Sequence, residues 1–219
     1  DIIGHMMIMK QERLDTLADG IFAIVMTILV FEIRIPEYVG HITNGLLFES
    51  LFKITPLFLS YLLSFSLLFT YWRSHHFIAS VLAKNIDIRF SNLSALFLFF
   101  VGLVPFSTHL LGTYSYLDTA IAVFATNITL IGLSLFFMRK YVIRSSEIEN
   151  SEFTKTENEH ANMRILFPVG AAVMAILVSF LNNHIALFLF TMAVLFNLSR
   201  RSTRYIFAVI NLFRKEKTQ

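Results

Sequence analysis

The chain has 219 residues, of which 56% are hydrophobic and 15% charged, with 24 Phe, no Cys and a formal net charge of +3. A soluble domain carries about a quarter charged residues, and a mean hydropathy of +0.66 leaves too little polar surface to coat one. A cytosolic globular enzyme, a disordered chain, a solenoid and any site built on thiolates are therefore excluded, and an all-α polytopic membrane protein remains.

Residues 1–5, which close on His5, read as the remnant of a cleaved tag. A membrane domain is expected over 6–204 and a cytoplasmic tail over 205–219. A crossing helix needs about 20 largely apolar residues. Six stretches approach that length: 16–33, 52–71, 93–111, 120–138, 165–181 and 185–200. Only Asn182, Asn183 and His184 separate the last two, which predicts a tight helical hairpin.

The first stretch carries the unusual chemistry. Asp19 is placed about one turn inside the hydrocarbon boundary, where a carboxylate costs several kcal/mol unless it is paired or faces water. Arg13 precedes it by six residues, so the two are not direct partners one turn apart, and each is expected to find partners on other helices. A structural pair that fixes the helix in its bundle and a functional role are both open. Further along, Ile24, Ile28 and Phe31 recur at helical spacing as one apolar stripe, with Thr27 beside it and Gly20 one turn below. Such a stripe by itself reads as helix packing.

The later segments set the orientation. With six crossings both termini share a side, and all 18 Lys and Arg residues except Arg34 and Lys53 fall on it. The positive-inside rule makes that side the cytoplasm. Glu32, Glu37, Glu49 and Asp118 leave the opposite face slightly acidic. The Glu-rich stretch 147–159 reads as a mobile cytoplasmic loop dividing four helices from two, and the apolar run 205–213 as a segment that continues the last helix or lies on the inner leaflet. Asn127, Ser64, Ser66, Ser134 and Ser179, at mid-membrane depth, read as hydrogen-bonding groups between helices.

The run Arg13-Leu14-Asp15-Thr16-Leu17-Ala18-Asp19, followed by Phe22-Ala23-Ile24 and Thr27-Ile28-Leu29, resembles the opening of the transmembrane protein 175 channel family, most closely its single-repeat prokaryotic members. The family signature is Arg-x-x-x-Phe-Ser-Asp. Its ends are matched by Arg13 and Asp19, while Leu17 and Ala18 replace Phe and Ser, so any hydrogen bond of the Ser hydroxyl must come from elsewhere. Trp72-Arg73-Ser74-His75 resembles the Trp-x-x-His that ends the family's second helix.

The resemblance implies a potassium-permeable cation channel with no selectivity-filter loop, formed as a homotetramer in the plasma membrane of a prokaryote. Helix one would line a central pore of that symmetric oligomer. Ile24, Ile28 and Phe31 would form the apolar constriction and gate, and Thr27 the polar position tied to selectivity. Arg13, Asp19, Trp72 and His75 would form a structural network at the cytoplasmic end, with titration of His75 near neutrality a route to pH sensitivity. The partners implied are further copies of the chain and the lipid bilayer, with no nucleic acid, no cofactor and no metal beyond permeating potassium.

Other classes fit less well. No Walker loop, dinucleotide fingerprint, nucleophile elbow or zinc helix occurs, which argues against an enzyme. An ion- or proton-coupled secondary transporter, with Asp19 and His75 as the coupling pair, is the alternative. A membrane protein that conducts nothing is a third.

Overall fold

The computed structural model describes residues 11–36, 41–83, 86–145, 148 and 155–198, with the backbone alone for 155–160 and 196–198. The expected tag and the 205–219 tail lie outside these residues. Helix α1 spans Gln11–Ile28 and tightens into a 3₁₀ turn at Leu29–Glu32. Helix α2, Asn44–Lys53, starts where the Thr43 hydroxyl accepts the Leu46 N–H at 3.3 Å. It is too short to cross a bilayer and exposes Leu46, Leu47, Phe48, Leu51 and Phe52, as a helix lying in the membrane interface does. On it Lys53 bonds Glu49 one turn away at 2.8 Å. That hydrogen bond, together with the ammonium charge, holds the carboxyl below its usual range.

Helix α3, Thr55–His76, has Pro56 in its first turn, where the missing N–H costs nothing, and it ends in a π turn at Phe77–Leu82. Helices α4, Ile88–Gly102, and α5, Val104–Thr113, form one broken crossing. Asp87 caps α4 by accepting the Phe90 N–H at 2.8 Å. The break follows from Pro105, which lacks a donor and crowds the turn before it. Helix α6 is Asp118–Arg144, α7 is Lys155–Ser179 with Pro168 inside it, and α8 is Asn183–Leu198.

Among the described residues, five segments are long and apolar enough to cross a membrane: Gln11–Glu32, Thr55–Leu82, Ile88–Thr113, Asp118–Arg144 and Ala161–Ser179. The sixth expected crossing is represented by α8, which has 16 described residues and is shorter than these five. All the regular elements among the described residues are helical. The third crossing, expected as one helix over 93–111, is divided at Leu103. The loop expected over 147–159 is shorter than read, because Lys155 already begins α7. Asn182 turns the α7–α8 hairpin: its N–H reaches the Val178 carbonyl at 3.0 Å and its Oδ1 caps Ile185 N–H at 3.1 Å.

Helix α6 runs through the middle of the bundle and is the most enclosed crossing. Phe22 of α1 meets Phe97 of α4 with centroids 5.9 Å apart, and Phe124 of α6 meets Phe190 of α8 edge-on at 5.9 Å. Small residues let backbones close. A Cβ at Gly112 would lie 2.6 Å from Ser60 Oγ, and one at Gly132 would overlap Val169. Polar pairs also join helices: Ser64 meets Thr108 at 2.7 Å, the Asn127 amide donates to Ser107 Oγ at 3.1 Å, and Arg139 Nε donates to Asn162 Oδ1 at 3.1 Å. Ser134 and Ser179 instead bond carbonyls of their own helices. The core thus fixes α1 by one side only.

Candidate functional site at helix one

Helix α1 is apolar on two faces. Leu14, Ala18, Phe22, Val25 and Leu29 point into the bundle and are buried. On the other side Leu17, Ile24, Ile28 and Phe31 are 50%, 59%, 39% and 65% exposed. Gly20 and Thr27 lie on that same open face, and nothing stands within 4 Å of where a Gly20 Cβ would be. The Thr27 hydroxyl points its proton back to the carbonyls of Ala23 and Ile24, at 2.8 and 2.9 Å. Its oxygen therefore presents lone pairs, not a donor, to the open side. The three residues expected at the constriction, and Thr27 expected at the polar position, all fall on this uncovered stripe.

At the N-terminal end of α1, Asp19 Oδ1 accepts the indole N–H of Trp72 at 2.7 Å. Trp72 stacks on His76 with centroids 6.1 Å apart. Adjacent residues on a helix point about 100° apart, so His75 turns inward where His76 turns out. His75 is 2% exposed and lies flat against Phe97 at 5.1 Å. Its Nε2 has no hydrogen bond among the described residues. Of the expected network, the structure joins Asp19 to Trp72. It gives His75 a separate position against α4, and Arg13 is exposed with no ion pair among the described residues.

Three residues that sequence reasoning passed over complete this end. Ser80 Oγ donates to Asp15 Oδ2 at 2.8 Å and lies 3.3 Å from His76 Nδ1. Gln11 Nε2 donates to the carbonyls of Ala79 and Ala83, the second at 3.1 Å. The signal was present in the spacing, since Gln11, Asp15 and Asp19 recur every fourth residue on one helix face. At the far end Glu32 Oε2 meets His109 Nδ1 of α5 at 2.7 Å, and Arg34 Nε donates to the Phe31 carbonyl at 3.0 Å. No group of three or more His, Asp or Glu side chains is gathered for a metal ion among the described residues.

Residues 13–105, which hold most of α1 and all of α2, α3 and α4, match the family described as the endosomal/lysosomal potassium channel TMEM175. A protein named as a potassium channel in a Chryseobacterium species is 30% identical over 82% of this chain and 88% of its own length. One so named in Chamaesiphon minutus is 39% identical over 47% of this chain and 49% of its own. Among solved structures, the crystal structure of a lysosomal potassium-selective channel TMEM175 homologue from Chamaesiphon minutus superposes with a TM-score of 0.73. It shares 26% identity and covers 88% of this chain and 97% of that one.

Proposed function

The chain belongs to the TMEM175 family, and from that premise we propose that it is a potassium channel whose pore is lined by the open face of α1. One observation carries the reading: a helix held in the core by one side leaves Ile24, Thr27, Ile28 and Phe31 uncovered on the other. One helix cannot enclose a pore. Four copies around an axis can, and a homotetramer turns each of these positions into a ring.

In that assembly rings of Ile24, Ile28 and Phe31 side chains form a narrow apolar neck that holds back a hydrated ion by dewetting. Potassium sheds its water more readily than sodium, so a dehydrating neck favours it. The Thr27 oxygens, with their protons turned into the helix, are the nearest polar atoms to the passing ion. No filter loop is needed.

Each subunit crosses the plasma membrane of a prokaryote six times, with both termini in the cytoplasm. The support is the segregation of nearly all Lys and Arg to one side. Helix α8 completes the count: its 16 residues rise about 24 Å. The transporter alternative requires Asp19 and His75 to work as one titrating pair. Asp19 is engaged by Trp72 and His75 by Phe97, and no hydrogen bond joins the two.

The test is ion flux from liposomes holding the purified protein, under potassium and then sodium gradients. We expect potassium to leave faster than sodium, and Ile24→Asn, which wets the neck, to speed both. No flux with either ion, or flux that saturates and requires a counter-substrate, overturns the reading.

A further inference from the structure

The polar side chains of α1 that face the rest of the chain sit at positions 11, 15 and 19, one per turn along one line. They meet α3 and its π turn in antiparallel order. Asp19 takes Trp72, Asp15 takes Ser80, and Gln11 takes the carbonyls of Ala79 and Ala83. The π turn explains the last contact. The Ala83 N–H bonds the Ile78 carbonyl at 3.0 Å, one residue further back than in an α-helix. That releases the Ala79 carbonyl, and the Gln11 amide takes it. Ala83 itself is extended, with φ −84° and ψ 127°, so its carbonyl has left the helix as well.

Asp15 makes this end sensitive. Its Oδ1 is enclosed with no hydrogen-bond partner among the described residues, so Ser80 supplies the bond that holds the carboxylate in place. An enclosed carboxylate stripped of its donor is costly, and the simplest relief is a shift of α1 toward water. Such a shift is magnified along the helix, because Phe31 stands 12 residues beyond Asp19, about 18 Å away. Past Phe31 the far end is tied by the Glu32–His109 contact.

We infer that Gln11, Asp15 and Ser80 are positioning residues of the pore, which together with the π turn Phe77–Leu82 clasp the base of α1 and set how often the apolar neck opens. None of them lies on the open stripe, so they act through the angle of α1 and leave the ion's path unchanged. The inference rests on the reading of α1 as the pore-lining helix.

The experiment is single-channel recording of the full chain in planar bilayers, comparing Ser80→Ala, Asp15→Ala, their double variant and Asp15→Asn. Each alanine variant is expected to change open probability about fivefold, the factor that one hydrogen bond's worth of coupling gives. The double variant should go no further than the larger single one, because both remove the same bond. Unitary conductance and the potassium-to-sodium ratio should hold, since Ile24 and Thr27 are untouched. Asp15→Asn keeps an oxygen for Ser80 and should restore most of the wild-type behaviour, which a purely electrostatic role would not allow.

Open probabilities within twofold of wild type in both single variants overturn the clasp, as does multiplication of the two effects or an Asp15→Asn variant as altered as Asp15→Ala. If Asp15→Ala fails to fold, Ser80→Ala alone and Gln11→Ala, which frees the two carbonyls, decide the matter by the same open-probability criterion. A wild type that carries no potassium current overturns the pore reading itself, whereas a conducting wild type matched by its variants overturns only the clasp.

Discussion

The two faces of α1 are built from the same kinds of residue, yet the chain treats them in opposite ways. Leu14, Ala18, Phe22, Val25 and Leu29 are packed against α3, α4 and their neighbours, while Ile24 and Phe31 stand more than half exposed. In a soluble protein an uncovered stripe of this size marks a partner surface. In a membrane it can also face lipid, so apolarity alone does not separate the two. The polar marks do: a Thr with its oxygen turned outward and a Gly with open space sit within the uncovered stripe, whereas the buried face has neither. Hydropathy says that α1 is in the membrane, and burial says which of its sides is available for function.

The contrast can be broken by stability measurements. Phe22→Ala removes a fully enclosed ring that packs at a tilt against Phe97 and should cost about 3–5 kcal/mol. Ile24→Ala, on the open side, should change stability by no more than about 0.5 kcal/mol. Unfolding of the purified variants in detergent reads both, and equal losses would erase the distinction between the faces. Gly20→Ala sharpens it with a smaller effect. A Cβ there meets nothing within 4 Å in the single chain, so helix propensity predicts a gain of about 0.5–1 kcal/mol. A loss in the assembled protein would mean instead that neighbouring copies close on Gly20.

Much of this was legible in the sequence, for reasons that differ from residue to residue. Asp19 stood out because a carboxylate inside an apolar run must be answered by something, but its partner Trp72 is 53 positions away and only the fold brings them together. The stripe of Ile24, Ile28 and Phe31 was readable as a stripe. Whether it packs or faces open space depends on which side of α1 the other helices occupy. The third crossing reads as a single apolar run, and only the fold shows that Pro105 breaks it at Leu103. His75 and His76 look alike in sequence, and the helix turn sends one into the core and the other to the surface. Gln11 and Asp15 passed unnoticed because polar residues at the start of a crossing are ordinary at the interface. What gives them a role is the π turn, a departure from α geometry that no local pattern in residues 77–82 declares.

The chain contains no cysteine, so single cysteines can report directly on what the open face of α1 touches. Ile24→Cys, Thr27→Cys and Phe31→Cys would be exposed in turn to a charged, membrane-impermeant thiol reagent during potassium flux. Phe137→Cys and Met174→Cys serve as controls, since those side chains are 51% and 57% exposed on α6 and α7. If the open face lines a water-filled pore, the three α1 cysteines react and potassium flux falls severalfold, while the two controls face lipid and stay unmodified. If the α1 cysteines remain unreactive, or react with no change in flux, the open face of α1 does not line the ion's path.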